Sequence, residues 1–448
     1  MNFSIQGTSS LDETLRVIIS RRPKLIDLSL DRVFRTLGKL GDPHKALPPT
    51  FHVAGTNGKG STIAFLRSIL EASGKRCHVY TSPHLVRYNE RIVLAGHEIS
   101  DEHFIDCLRR CDEAAGEDEL TFFETVTCAA FVAFAETTAD FLLLEVGLGG
   151  RLDATNVIDH PLAAVVTSIG MDHQAFLGDT LPDIAREKAG IFKRDVPAVV
   201  GVQDPDSMAA LLTRLGEVDA VPFTYGQEWT FWPEAGRLSY QDEESLCDLD
   251  PPRLIGPHQL ANAALAVAAI RAANLSMPND KISEGLSTAS WPARMQRMSE
   301  GSLVAKRLAA DEPQSGREVW LDGGHNPDAG VVVAQTLADL DERSPKPIVL
   351  IVGMQSNKDA TEFLAPFAGL VRKVIATRAD NDLAMAPEDV GAALDPLDVP
   401  FQISTTLEEA LRLASATIDG PARFLIAGSL YLAGEVLSLE QNAAARPD

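Results

Sequence analysis

Short apolar runs alternate along this chain with stretches whose apolar residues recur every three or four positions. The first kind reads as buried strand, the second as amphipathic helix. FHVA at 51–54 is a run of the first kind, and a glycine-rich turn follows it. A helical stretch comes next over Thr62–Ser73, with Gly74 placed to end it. Within it Ile63, Leu66, Ile69 and Leu70 share one face, which predicts packing on a sheet. CHVYTS (77–82), Phe141–Val146, 161–170 and 196–202 read as further buried strands, with helices predicted over 122–137 and 181–191. Strands alternating with helices imply an α/β fold, a mostly parallel sheet covered on both faces.

The stretch 223–256 breaks this rhythm. Tyr225, Trp229, Trp232 and Tyr240 lie in short runs separated by turn residues, which predicts an antiparallel appendage. A helix resumes over Gln259–Ala273, and the polar stretch 299–318 reads as a linker with room for one strand. Beyond it a second α/β series begins, with strands at 318–323, 347–354, 371–378 and 422–429 and helices at 328–340, 387–394 and 407–418. The expected division is a large N-terminal domain, 1–296, and a smaller Rossmann-like domain, 297–448. No internal repeat is seen.

Composition narrows the function classes. The chain has 448 residues, 45% of them apolar and 23% charged, ordinary for a globular protein. Acidic residues outnumber basic ones 63 to 40, giving −23, which argues against non-specific nucleic-acid or anionic-membrane binding. An anionic substrate is still compatible, since one local cationic site suffices. The five cysteines are odd in number and contain no CxxC, so neither a disulfide framework nor a structural zinc site is indicated. Cys107 and Cys111 could share a helix face, but all five read as buried thiols. The N-terminus lacks a basic start and an apolar core, and no run approaches 18 apolar residues. A reduced, cytoplasmic setting is the expectation.

FHVAGTNGKGST (51–62) is the most informative segment. A buried strand runs into glycines, a lysine, hydroxyls and a helix in that order, so backbone N–H groups can face one concavity at a helix N-terminus. Lys59 would meet the β- and γ-phosphates, and a hydroxyl of Ser61 or Thr62 could reach magnesium. The segment departs from the usual Walker spacing: the earlier glycine is missing, and Gly60 separates Lys59 from Ser61. Glu145 ends an apolar strand where a doubly wound sheet places metal ligands. It reads as a ligand or as a capping or salt-bridged acid. Asp172-His173 follows another apolar strand, and His173 reads equally as metal ligand or structural histidine. Ser82, after the CHVYTS run, could add an oxygen to a magnesium shell.

These segments resemble the folylpolyglutamate synthase/dihydrofolate synthase family of Mur-ligase-like enzymes. The match runs through IDLSLDRV (26–33), HVAGTNGKGST (52–62), TSPHLVRYNERI (81–92), FFE (122–124), LLEVGLGGRLDATN (143–156), TSIGMDH (167–173), IAREKAGIFK (184–193), HQLANA (258–263), WPARMQ (291–296) and LDGGHNP (321–327). The resemblance implies a P-loop-containing central domain that binds ATP and pterin, followed by a glutamate-ligase domain. It implies that Thr56, Asn57, Gly58, Lys59, Gly60 and Ser61 bind ATP phosphates, and that Asn262, Arg294 and Asp322 contact the nucleotide. Ser61, Ser82, Glu145 and His173 would hold two magnesium ions. Lys188 matches the lysine that the family carbamylates; from the residues alone it reads as an ordinary charged lysine. Lys59, Lys188, His173 and His325 would act in catalysis. Asp27, Ser29, Phe122, Phe123, Glu124 and Asp153 match positions near the pterin.

Two departures stand out. Trp291-Pro292-Ala293-Arg294-Met295 stands where the family often has Leu-Pro-Gly-Arg-Phe, so Ala293 must avoid positive φ or accept strain. Gly323-Gly324 follows Asp322 where bulkier residues are common.

The implied reaction joins a carboxylate to an amine, which needs activation. ATP supplies it as an acyl phosphate, which the glutamate amine attacks. Domain closure would then exclude water from that intermediate. The expected enzyme adds L-glutamate to 7,8-dihydropteroate and to tetrahydrofolates, as a cytoplasmic monomer acting on small molecules. A monofunctional folylpolyglutamate synthase is the alternative; YNERI and FFE look more like bifunctional bacterial members. A peptidoglycan-precursor ligase would need a separate UDP-substrate domain. A nucleotide switch or transport ATPase would leave Arg294 and His325 without a role.

Overall fold

A computed structural model describes residues 10–21, 29–116, 118, 120–309 and 316–444. Asp27, one of the expected pterin contacts, lies outside the described residues. The chain forms two compact units. The first runs to Arg253 and includes His258–Ser290; the second comprises Leu254–Pro257 and the chain from Trp291 onward.

The first unit is built on eight strands: β1 (Thr50–Ala54), β2 (Cys77–Tyr80), β3 (Ile92–Leu94), β4 (His97–Glu98), β5 (Phe141–Glu145), β6 (Ala163–Val166), β7 (Pro197–Val200) and β8 (Val221–Thr224). Their order is β4-β3-β2-β5-β1-β6-β7-β8, parallel from β2 to β8 and antiparallel at the β2–β3–β4 edge. The central β1 is flanked by β5 and β6 and fully buried, so its carboxyl end opens where crossovers depart to both sides. Ligands bind at such ends in open α/β sheets. The helix Lys59–Ala72 follows β1, with Ile63, Leu66, Ile69 and Leu70 all fully buried. It begins three residues earlier than the periodicity indicates, because the turn glycines let Lys59 enter helical geometry at once.

Strands 161–170 and 196–202 shorten to β6 and β7. Beyond β6, the Thr167 N–H still bonds to Ala54 at the end of β1, while the Thr167 hydroxyl and the Ser168 carbonyl bond to the loop that follows. The antiparallel appendage is β9 (Trp229–Glu234), β10 (Arg237–Asp242) and β11 (Leu246–Leu249), with Trp229 and Tyr240 stacked at its centre. Phe223 and Thr224 belong instead to the large sheet, where they continue its parallel pairing.

The second unit has β12 (Gln296–Arg297), β13 (Glu318–Leu321), β14 (Ile348–Val352), β15 (Lys373–Ala376), β16 (Phe401–Ile403) and β17 (Arg423–Ala427), in the order β12-β13-β17-β14-β15-β16. All neighbours but β12–β13 are parallel. Trp291–Gln296 groups with this unit, since Gln296 and Arg297 pair with Leu321 and Trp320. The linker strand is not found among the described residues; Leu303–Ala309 is a helix whose Val304 and Leu308 are buried.

Candidate active site

The loop after β1 is a backbone cradle fixed from two sides. Gly55 has φ +151° and Gly58 φ +88°, the latter strained for any side chain. A Cβ at Gly55 would meet Thr167 Oγ1 at 1.8 Å, and one at Gly58 would meet Asn262 Oδ1 at 2.4 Å. The Thr56 N–H donates to the Ser168 carbonyl (2.9 Å), and Thr167 Oγ1 donates to the Asn57 carbonyl (2.6 Å). Thr56 Oγ1 bridges to both the N–H and the carbonyl of Gly170, at 3.1 Å each. Gly60 and Ser61 open the helix that starts at Lys59. Ser61 Oγ accepts from Gln259 Nε2 (3.3 Å), and Gln259 Oε1 accepts from Asn262 Nδ2 (3.1 Å). The Pro257–Ala272 helix thus delivers Asn262 to the loop through a buried glutamine.

Two lysines close on the same carbonyl. Lys59 Nζ donates to the Gly55 oxygen at 3.1 Å and to that of Thr56 at 3.2 Å. Lys188 Nζ donates to the Gly55 oxygen at 2.9 Å. Lys188 ends the Leu181–Lys188 helix and is only 4% exposed. Burial, then the charge of Lys59, lower its pKa to about 7, against the opposing pull of Asp172 and Asp153. Close packing brings it there. A Cβ at Gly150 would lie 2.8 Å from the Glu187 and Lys188 carbonyl oxygens, and one at Gly190 would lie 2.4 Å from Arg151 Cα. The glycines of GLGGR and KAG therefore interlock.

Glu145 ends β5, buried, and accepts the Ser82 N–H at 3.2 Å. His173 sits at φ +54° ahead of the short Gln174–Leu177 helix, its N–H donating to Asp172 Oδ1 at 2.8 Å. Phe123 packs on the backbone of the Gly-rich turn: a Cβ at Gly147 would lie 2.4 Å from its Cζ. The Phe122 ring meets Tyr88 edge-on at 5.7 Å. Ser29 is half-buried. Glu124 faces inward: Arg32 holds its carboxylate through contacts of 2.8–3.1 Å, and it completes a capping box with Thr121. Asp153 is buried and accepts from the Leu148 N–H and from the N–H and hydroxyl of Thr155. Burial raises its pKa against these donors. Thr155 Oγ1 also lies 2.9 Å from His52 Nε2.

In the second unit, Asp322 follows β13, buried, and accepts the N–H groups of Met295 (2.8 Å) and Gly324 (2.7 Å). Burial raises its pKa, and Arg294 opposes the shift. Ala293 and Met295 adopt φ +53° and +40°, so the turn keeps the backbone that glycine would favour and accepts the strain. Gly323 is required in return: a Cβ there would meet Leu430 Cδ2 at 2.4 Å and Arg294 Nη1 at 2.9 Å. His325 Nδ1 donates to the Gly323 carbonyl at 2.9 Å.

Residues 53–270 match the Mur ligase middle domain and 307–430 the Mur ligase glutamate ligase domain. The dihydrofolate synthase/folylpolyglutamate synthase of Escherichia coli K12 is 36% identical over 360 residues, covering 80% of each chain. The chain belongs to this family of Mur-type ligases. Folylpolyglutamate synthase of Lacticaseibacillus casei is 31% identical over 426 residues, 90% of this chain and 92% of that one. The structure of E. coli FolC in complex with DHPP and ADP aligns with TM-score 0.87 at 32% identity, over 98% of this chain and 99% of that one. A bifunctional family member with Mn, AMPPNP and L-glutamate bound aligns at 0.84, also 32% identical, over 96% and 98%.

Membership makes the chain an ATP-dependent amide ligase with a Mur-ligase-like fold. Several residues of the candidate site lie within the matched segments without standing out by their own chemistry. Gln259, in HQLANA one turn before Asn262, is one of them. Thr155 and His52 meet across the sheet, and Arg32 reaches Glu124 over 92 positions, so neither pairing has a local signal. Among the described residues, no helix is long and apolar enough to cross a membrane.

Proposed function

We propose that the chain joins L-glutamate to 7,8-dihydropteroate and to tetrahydrofolates, splitting ATP to ADP and phosphate through an acyl phosphate. The observation that carries this reading is the convergence of Lys59 and Lys188 on the Gly55 carbonyl, at the carboxyl end of the central strand. The Lys59 ammonium beside a cradle of glycine backbone suits a polyanion whose terminal phosphoryl group moves, and the Lys188 side chain ends at the same place. Thr56–Ser61 and Asn262 then bind the nucleotide in the first unit. Arg294 and Asp322 are its contacts in the second, and His325 acts in catalysis. The first unit is the ATP- and pterin-binding domain and the second the glutamate-ligase domain.

Ser61, Ser82, Glu145 and His173 would hold two magnesium ions. A buried carboxylate and two hydroxyls suit a hard cation. Bound magnesium supplies neutralisation of phosphate charge. Phe122 and Phe123 offer ring faces to the pterin, beside Ser29 and Asp153. Asp27 belongs to the same proposed set, as does Glu124, which acts there by fixing the helix that carries the two phenylalanines.

Lys188 is carbamylated in this reading. Its neutral amine attacks carbon dioxide, forms an N–C bond and releases a proton, leaving an anion on a buried arm. A pKa near 7 supports this, because a large neutral fraction exists at physiological pH. The enzyme works as a cytoplasmic monomer; all five cysteines are free and buried. Names of relatives support the bifunctional reading, and the L. casei enzyme keeps the monofunctional one in view.

The test is ADP release with each substrate omitted in turn. Release should require both glutamate and a pterin carboxylate. ADP formed at an equal rate without them would overturn the ligase reading. Turnover with tetrahydrofolate but not with dihydropteroate would replace it by the monofunctional one.

A further inference from the structure

Away from the candidate active site, one group of side chains in the first unit has the composition of a metal centre. His103 and Cys107 stand one turn apart on the Asp101–Ala115 helix. Glu136 closes the Phe122–Glu136 helix packed against it. Their ligand atoms, a ring nitrogen, a sulfur and a carboxylate oxygen, all lie within 4.8 Å of one another. Among the described residues, no other three His, Cys, Asp or Glu side chains come so close.

We propose that His103, Cys107 and Glu136 bind a thiophilic divalent cation, zinc by donor set. Imidazole, thiolate and carboxylate are the ligands zinc takes, whereas magnesium prefers an all-oxygen shell. The i,i+4 spacing of His103 and Cys107 aims both donors to one side of their helix. Glu136 is already oriented: its Oε1 pairs with Arg110 Nη2 at 2.7 Å, and its Oε2 faces His103 Nε2 at 3.9 Å. A supporting partner of this kind is usual behind a metal ligand. Tetrahedral zinc at ordinary bond lengths holds its ligand atoms about 3.3–3.8 Å apart, so the group must contract by about 1 Å. His103 and Glu136 can supply that movement, being 34% and 45% exposed, while the buried Cys107 stays in place.

On binding, the Cys107 thiol proton leaves to solvent, a sulfur–metal bond forms, and no electron is transferred. Burial holds the thiol protonated otherwise, with a pKa pushed up to about 12. Thiolate and carboxylate together balance the ion's charge, so Arg110 faces no net cation. A water takes the fourth position. The ion would pin two helices together, one of which carries Phe122 and Phe123 at its other end. The inference does not depend on the proposed reaction.

The probe is cobalt(II), titrated into the reduced full chain with magnesium in excess. One equivalent should bind, with a sulfur-to-cobalt charge-transfer band in the near ultraviolet and visible bands of tetrahedral intensity; zinc should displace it. His103→Ala and Glu136→Gln should each weaken binding by about tenfold or more. Cys107→Ser should remove the charge-transfer band. Should Cys107→Ser fold poorly, the two exposed positions decide alone. Absence of the band, or a band of unchanged affinity in His103→Ala and Glu136→Gln, overturns the site.

Discussion

Lys188 and Lys59 share one acceptor, the Gly55 carbonyl oxygen, at 2.9 and 3.1 Å. Two ammonium groups on one oxygen repel each other, and Lys188 is the buried one. It therefore gives up its proton more readily. The effect follows from position alone.

A stability measurement checks it. Lys188 binds its proton with a pKa of about 7 in the folded chain, against an ordinary value of 10.5. The unfolded chain thus binds more protons between these limits, and stability rises with pH across them. The burden of the buried charge is full below pH 7 and gone above the ordinary value. Lys188→Met should therefore melt higher than wild type at pH 6 in carbon-dioxide-free buffer, with the gap closing by pH 10. Its ligase turnover should be lost at either pH. A pH-independent gap would place the Lys188 charge in solvent.

Gly58→Ala tests the cradle. Its left-handed backbone costs an alanine about 1–2 kcal/mol, and the new Cβ would press on Asn262 Oδ1. ATP affinity should fall about tenfold or more, by calorimetric titration, in a chain that still folds. Unchanged affinity would remove Asn262 and the loop from the nucleotide site.

Ala293 sits at φ +53° in the turn before β12. Ala293→Gly should stabilise the second unit by about 0.5–1 kcal/mol, the relieved strain being partly offset by a freer unfolded chain. Ala293→Val should do the opposite. Denaturant midpoints read both.

His52, Thr155 and Asp153 form a buried chain with links of 2.9 and 2.5 Å. The Thr155 hydroxyl donates to the carboxylate and accepts from the imidazole, which places the histidine proton on Nε2. Thr155→Val should cost about 1–3 kcal/mol, since it leaves buried polar atoms unmatched. It should also raise KM for the pterin substrate more than KM for ATP. Thr155→Ser should restore most of both. Losses in Thr155→Ser with none in Thr155→Val would make the methyl group, not the hydroxyl, the cause.

The sequence told most where chemistry and local geometry coincide. The run from His52 to Thr62 needs strand, glycines, lysine and helix within a few residues, so its order is its own signature. Glu145 and His173 stand out in the sequence for a related reason, the first ending an apolar run and the second following one. Short strands at the sheet margins do not: β3, β4 and β16 have two or three residues each, too few for a period to emerge. The helix in the linker has no clear period in the sequence because 299–318 mixes charge and glycine, while Val304 and Leu308 are fully buried in it. The Thr121–Glu124 capping box has a local signature in its Thr-x-x-Glu spacing, whereas the ion pair of Glu124 with Arg32 does not, since Arg32 is remote in sequence.

Product mass spectrometry is the most direct measurement. The purified chain, ATP and magnesium are incubated with dihydropteroate and L-glutamate, then separately with tetrahydrofolate. The account predicts a species one glutamyl residue heavier than each pterin, formed with one ADP per bond. ATP consumed with neither pterin gaining mass would contradict it.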